Sequence, residues 1–426
     1  MEEPTKMSTL SAVHETINVP RKVSWSGFLL SLLAGAIACS TSYAGPNGMS
    51  TNGAEAMALA EAGEIDANDP VKCQFYPAIP VALGPDALAA YVVSGELCAT
   101  QDELIDGTTV QLLIHGSTYN RGYWNFGRVN GIRYSYSRDV ATRGFPTFAL
   151  DELGSGNSAI PPSGRMTIEA AAFVAHQIVE GLRNGWINGV QFGKVILVGH
   201  SLGSVVAWQE AISYGDVDGV IVTGAAHFLT SAFLDLMPFY PAAMDPKFSD
   251  KSLDDGYLTT TPGIRAAAFY NDPDADPAVI ALDEKRKDIV PGIELATGLP
   301  VVTSTATRAI QVPVLTILGS NDLPTCGSDS QGNEFDCSSG EAIASQEAPF
   351  YSPKAQIYAC MVPGSGHALS LELSNQFQVK DSVAWSYAFV GQRPFDQKHD
   401  FDEGEDGLDD MANHFPYCGG PRPEQR

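Results

Sequence analysis

Along the chain, short unbroken apolar runs alternate with stretches of helical periodicity. Thr109 to Ile114 (T-V-Q-L-L-I), Thr147 to Leu150, Val195 to Val198, Asp218 to Thr223, Val312 to Leu318 and Gln356 to Val362 are apolar almost throughout. A strand covered on both faces, as in a parallel sheet, has this pattern because neither face meets water. Between the runs, Thr167 to about Arg183 places Ile168, Ala171, Ala172, Ala175, Ile178, Val179 and Leu182 on one helical face. Helical patterns also cover Tyr134 to Arg143 and Leu369 to Val390. Two earlier runs, near Phe75 to Leu83 and Ala89 to Leu97, are broken by Gly84-Pro85-Asp86 and read as antiparallel opening strands. Strands alternating with helices predict an α/β protein with a mostly parallel central sheet flanked by helices.

The alternation lapses between about His227 and Ala309. A long excursion from a regular sheet is usually functional, and residues 227–305 read as a cap inserted after the sixth strand. Its Leu234, Leu236, Met237, Phe239, Tyr240, Phe269 and Tyr270 either line a pocket over the sheet or pack the insert's own small core. The remaining organisation is an N-terminal extension with opening strands at 45–105, a core at 106–226 and 306–395, and an acidic tail at 396–426. There is no internal repeat.

With 426 residues, 44% of them apolar and 18% charged, the chain can bury a sizeable core. Its formal net charge of −25 disfavours nucleic acid or an anionic membrane surface as partner. At the N-terminus, Arg21 and Lys22 precede an apolar run from Trp25 to Cys39, and Ser42-Tyr43-Ala44 places small residues where a signal peptidase reads. The run is short for a membrane span. Residues 1–44 therefore read as a signal peptide and the protein as secreted or periplasmic, with lipidation at Cys39 as the alternative. Six cysteines remain, which suits disulfides in an exported chain. Of the 15 full pairings this number allows, sequence proximity suggests Cys73–Cys98, Cys326–Cys337 and Cys360–Cys418.

The chemistry centres on Lys194 to Ala207, K-V-I-L-V-G-H-S-L-G-S-V-V-A. A buried strand, the pentapeptide Gly199-His200-Ser201-Leu202-Gly203 and a helical pattern follow one another, the order of a nucleophile elbow. Side chains at 199 and 203 would collide with the crossing strand and helix, and glycine removes both Cβ atoms. A serine nucleophile needs a base, and the base needs an orienting acid. His367, in Gly364-Ser365-Gly366-His367 after the last strand, is the candidate base. Asp322, in Gly319-Ser320-Asn321-Asp322 after the preceding strand, is the candidate acid, with Asp329, Glu334 and Asp336 as rivals. The developing oxyanion calls for backbone donors. These are expected from the amides of Leu202 and of Ser117, the latter in the loop after His115-Gly116. His200 is read as packing locally, and His227 as able to line the pocket.

These residues resemble the α/β-hydrolase superfamily in its serine esterase and lipase branch. The likeness spans roughly Thr109 to Val390 and is carried by H-G-S at 115–117, D-E-L-G-S-G-N-S at 151–158, G-H-S-L-G at 199–203, G-S-N-D at 319–322 and G-S-G-H at 364–367. The resemblance implies an eight-stranded sheet and a Ser-His-Asp triad working without a cofactor. It also implies hydrolysis of a small-molecule ester or related acyl bond, the substrate being apolar if the cap is. Acyl transfer, amide, lactone or C–C hydrolysis and silent binding are the alternatives on the same fold. Serine at the elbow departs from the epoxide hydrolase and haloalkane dehalogenase branches, which place an aspartate there. Asp151 resembles the family's structural aspartate. No metal site is expected: Asp272 to Asp276 and Asp400 to Asp410 lack EF-hand spacing and read as solvated acidic surface.

Overall fold

A strand that is apolar at every position needs cover on both faces, and the central strands obtain it. The computed structural model describes residues 69–236, 238–392 and 417–421. The expected signal segment, the start of the N-terminal extension, Met237 and most of the acidic tail lie outside the described residues. The principal strands are β1 (Lys72–Val81), β2 (Tyr91–Ala99), β3 (Thr109–Ile114), β4 (Thr147–Asp151), β5 (Lys194–His200), β6 (Gly219–Thr223), β7 (Val314–Gly319), β8 (Tyr358–Val362) and β9 (Cys418–Gly419). They form one nine-stranded sheet in the order β1-β2-β4-β3-β5-β6-β7-β8-β9. The pairs from β4 through β8 are parallel. The pairs β1–β2, β2–β4 and β8–β9 are antiparallel. Every residue of β3, β4, β6, β7 and β8 is buried.

The helices are α1 (Tyr136–Ala141), α2 (Ile168–Arg183), α3 (Leu202–Ser213), α4 (Pro277–Arg286), α5 (Gly292–Val302), α6 (Gly340–Glu347) and α7 (Asn375–Trp385). Side chains alternate across a strand, so successive core residues join opposite layers. Leu112, Ile114, Val195 and Leu197 pack with Ile168, Ile178, Val205 and Trp208 of α2 and α3. Leu113, Ile196 and Val198 pack with Tyr136, Val140, Val379 and Trp385 of α1 and α7. Thr167 starts α2 as its cap, accepting a bond from the Ala170 amide.

Two differences from the sequence reading have local causes. The sheet has nine strands rather than eight, because a two-residue strand from the tail pairs with β8 beside the Cys360–Cys418 disulfide. The helix expected over Leu369 to Val390 is three pieces: a turn at Leu369–Leu371, α7, and a π-helical turn at Ser386–Val390. The first break falls at Glu372, whose backbone is extended (φ −104°, ψ 165°) and whose carboxylate bonds Ser365, Gly366 and Asn271. The stretch after β6, where the alternation lapses, holds α4, α5, short helices at Ser231–Leu236 and Arg265–Phe269, and a three-stranded sheet of Phe239–Pro241, Tyr257–Thr260 and Val290–Pro291. Of the residues singled out in this stretch, Phe269 and Tyr270 are buried in a core cluster shared with α1, α7 and the sheet, and none of those described belongs to the insertion's own small core. That small core is made by Ala242, Phe248, Tyr257 and Ile289. Cysteines pair as 73–98, 326–337 and 360–418. No helix among the described residues is long and apolar enough to cross a membrane.

Candidate active site

Six parallel strands, β3 to β8, point their C-terminal ends to one edge, where an open α/β sheet gathers its functional loops. At the end of β5, Ser201 adopts φ 53° and ψ −120°, a left-handed backbone that costs a non-glycine residue about 1–3 kcal/mol. Crowding enforces it. A Cβ on Gly199 would lie 2.3 Å from the Ser204 Cα, and one on Gly203 would lie 2.3 Å from the Ile114 carbonyl oxygen. The Ser201 amide is fixed by the Thr223 carbonyl at 2.8 Å. Gly203→Ala is therefore expected to destabilise the protein by about 1–3 kcal/mol, seen as a lower urea midpoint; an unchanged midpoint would mean that strand and helix are not in fixed contact there.

The loops after β7 and β8 bring the other two candidates together. His367 Nδ1 lies 3.1 Å from Asp322 Oδ2 and 3.2 Å from Oδ1. His367 is 3% exposed and Asp322 not at all, so this contact is shielded from water. The loops lock because Gly319 lacks a Cβ, which would sit 2.2 Å from the Gly366 carbonyl oxygen. Glu372, missed in the sequence, anchors the histidine loop: its carboxylate accepts from Ser365 Oγ at 2.6 Å, the Gly366 amide at 2.5 Å and the Asn271 amide at 2.9 Å. Burial raises its pKa to about 7, against the pull of these same bonds. Of the rival acids, Asp329 accepts bonds from Gln331 and Asn333 within its own turn, and Glu334 and Asp336 are exposed.

No hydrogen bond joins Ser201 Oγ to His367 among the described residues; such contacts are often long in unliganded enzymes and tighten with substrate. His200, next in the chain to the serine, has its ring 4.9 Å from that of His367 and stacked 4.3 Å from Tyr123. Burial, then the neighbouring His367, hold its pKa well below the usual histidine range, so it stays neutral. His227 does not reach this edge. It bonds Glu347 and Thr307 and stacks between Trp208 and Phe350.

On the other side, a Cβ added to Gly116 would lie 3.0 Å from the Ser201 Cβ, so the loop after β3 passes directly over the serine. The amides of Ser117 in this loop and of Leu202 at the start of α3 have no acceptor among the described residues. Thr118 has φ 60°. It is held by the insertion: Arg265 Nη1 donates to Thr118 Oγ1 at 2.8 Å, and the Asp288 amide donates to the Thr118 carbonyl at 2.8 Å. Arg265 is fully buried, forks onto Asp283 at 2.8 and 3.0 Å, and lies 4.2 Å over the Tyr119 ring. Sequence reading missed this pair, because Arg265 and Asp283 carry no motif.

Two further carboxyls flank the loop. Glu152 Oε2 stands 3.5 Å from His115 Nδ1. Burial, with the charge of nearby Glu294 on α5, pushes Glu152 up to about 8, and burial pushes Glu294 up to about 8. A carboxyl whose folded pKa is raised favours folding fully below its unfolded value, near 4.5, and loses that contribution as pH rises through the folded value. Glu294→Gln cannot ionise. Its stability relative to wild type is expected to improve by roughly 1 kcal/mol or more from pH 5 to pH 9, measured by urea unfolding at both pH values. An equal difference at both would show that Glu294 does not titrate in this window.

A cavity of about 460 Å³ opens beside this edge, lined by Asn120, Arg121, Gly156, Lys247, Arg286 and Asp288 among others. Its walls are charged, and neither Ser201 nor His367 lines it. Asp151 is a tie rather than a reacting group, bonding Ser94, Asn157 and Arg121. In the acidic stretch Asp272 to Asp276, Asp274 accepts from Ser374, and Asp276 accepts from Asn130 and caps α4.

Residues 111–377 match the alpha/beta hydrolase family, and the chain belongs to that family. Over 136 residues it is 28% identical to epoxide hydrolase 3 of Xenopus tropicalis; the match spans 32% of each chain, so this chain covers about a third of that relative's length. Among solved structures, an esterase from Thermogutta terrifontis is similar at 20% identity and a TM-score of 0.46, covering 69% of this chain and 93% of its own. A monoacylglycerol lipase from Paleococcus ferrophilus is similar at 18% identity and a TM-score of 0.44, covering 69% of this chain and 97% of its own.

Proposed function

We propose that this chain is an exported serine hydrolase that cleaves a carboxylic ester through an acyl-enzyme. The observation that carries the reading is the buried His367–Asp322 contact at 3.1 Å, on the same sheet edge as a serine at φ 53°. Asp322 accepts from His367 Nδ1–H, which leaves Nε2 unprotonated and able to take the Ser201 proton. Ser201 Oγ then attacks the ester carbonyl carbon. The resulting oxyanion is stabilised by the amides of Leu202 and Ser117, at the positive end of α3. His367 returns the proton to the leaving alcohol as the tetrahedral intermediate collapses. Water repeats the sequence on the acyl-enzyme, releasing the acid and restoring Ser201.

The likeness to an epoxide hydrolase does not extend to that reaction, because the elbow holds a serine where that branch has an aspartate. The N-terminal pattern of charged, apolar and small residues supports export, as do the three disulfides. The insertion after β6 is read as a cap, since Arg265 and Asp288 bond the loop over Ser201. The reading is tested with p-nitrophenyl esters of graded acyl length, with products analysed in water containing a competing alcohol. Acid as the main product supports hydrolysis. Predominant transfer to the alcohol would make the enzyme an acyltransferase, and no turnover of any ester would refute the reading.

A further inference from the structure

Away from Ser201, three groups converge where α2 passes the end of α3. His176 Nδ1 lies 2.8 Å from Asp216 Oδ2 and 3.9 Å from Glu210 Oε1. One ligand-capable atom from each of His176, Glu210 and Asp216 falls within 4.8 Å of the others. Glu210 is fully buried, and among the described residues no N–H or hydroxyl donor reaches its oxygens. Burial, together with the Asp216 carboxyl that its own carboxyl faces, pushes its pKa up to about 10. His176 Nδ1 and Asp216 Oδ1 also lack a hydrogen-bond partner, so the 2.8 Å approach is close without being aligned as a hydrogen bond. A buried carboxylate normally finds donors or a cation. The nearby cation is committed elsewhere: Arg183 donates to the Asp216 carbonyl at 2.7 Å and to Asp218 Oδ2 at 2.5 Å. Asp216 therefore presents its carboxylate toward His176 while its backbone is tied to α2.

We infer that His176, Glu210 and Asp216 bind a divalent zinc-class cation. An ion about 2.1 Å from each ligand atom sets those atoms at most about 4.2 Å apart; His176 Nδ1 meets that limit with Asp216 at 2.8 Å and with Glu210 at 3.9 Å, and all three atoms lie within 4.8 Å of one another. One imidazole with carboxylates is a donor set for zinc rather than for magnesium or calcium, which take oxygen ligands. The ring is preset. It stacks on Tyr214 at 4.0 Å, and Glu180, one turn along α2, stands 4.0 Å from Nε2, where it can hold the outer N–H of a metal-bound histidine. The ion would clasp α2 to α3 and the turn after it, behind the elbow, independently of the reaction at Ser201. Sequence spacing does not reveal it, because the ligands come from two helices and a turn.

The test is calorimetric titration of Zn²⁺ into full-length, tag-free, disulfide-intact protein after chelator treatment, with thermal unfolding in parallel. Saturable one-to-one binding is expected, together with a Tm rise of roughly 3 °C or more that chelator reverses. His176→Gln and Glu210→Gln should each weaken binding roughly tenfold or more. The partly exposed Asp216→Asn provides a third variant less exposed to folding failure. Absence of saturable binding, binding undiminished in all three variants, or a response to Ca²⁺ without one to Zn²⁺ would overturn the assignment.

Discussion

Asp322→Asn is expected to lower the kcat for ester hydrolysis by about 10⁴-fold with little change in KM. The carboxylate sits within 3.2 Å of His367 Nδ1 through either oxygen. Its loop is held by the Asp322 amide on the Gly319 carbonyl, the Cys326 amide on the Asp322 carbonyl at 2.7 Å and the Cys326–Cys337 disulfide. Asparagine keeps the shape but can donate an N–H to Nδ1. That stabilises the tautomer with its proton on Nε2, where it can no longer accept from serine. Steady-state kinetics on the best ester of the panel would measure the loss. A drop of less than about tenfold would remove Asp322 as the orienting acid and return attention to Asp329, Glu334 and Asp336.

The second large effect is structural in origin. Arg265→Met should cost about 3–5 kcal/mol, because it strands Asp283 as a buried, unpaired carboxylate. Asp283 would keep only hydroxyl partners, Tyr270 at 2.8 Å and Tyr119 at 3.4 Å. The double variant Arg265→Met with Asp283→Leu should recover most of that stability, since replacing both members of a buried pair by apolar residues is often close to neutral. Activity should not recover with it. Thr118 would still lack the Arg265 bond that holds the loop carrying the Ser117 amide at its left-handed turn. Urea unfolding and kcat, measured on both variants, separate the two contributions. Full recovery of kcat in the double variant would show that Arg265 only stabilises the fold.

Much of this architecture was legible in the residues. Strands buried on both faces announce themselves as continuous apolar runs, which is why β3, β4 and β6 appear within a residue or so of their expected bounds. The elbow was legible because its glycines answer a steric demand that no other residue meets. The cysteine pairs that proximity only suggested, out of 15 possible sets, are the ones formed, as with Cys73 and Cys98, which face each other between β1 and β2. What sequence did not reveal is long-range and polar. Glu372 serves the histidine loop and Asn271 together, and Arg265 meets Thr118 across 147 positions of chain. Nothing periodic marks such residues, because their partners are set by tertiary packing. The break after Leu371 was hidden for the same reason: helical spacing continues through 369–390, while Glu372 is extended and its carboxylate and the Leu373 amide bond groups distant in sequence.

The central claim is that Ser201 is an activated nucleophile. Intact-mass spectrometry of the purified protein with a fluorophosphonate, beside its Ser201→Ala variant, tests it most directly. The geometry predicts a single covalent adduct on the wild type and none on the variant. Wild-type protein that stays unlabelled while folded with its disulfides intact, or a variant that labels equally well, would contradict it.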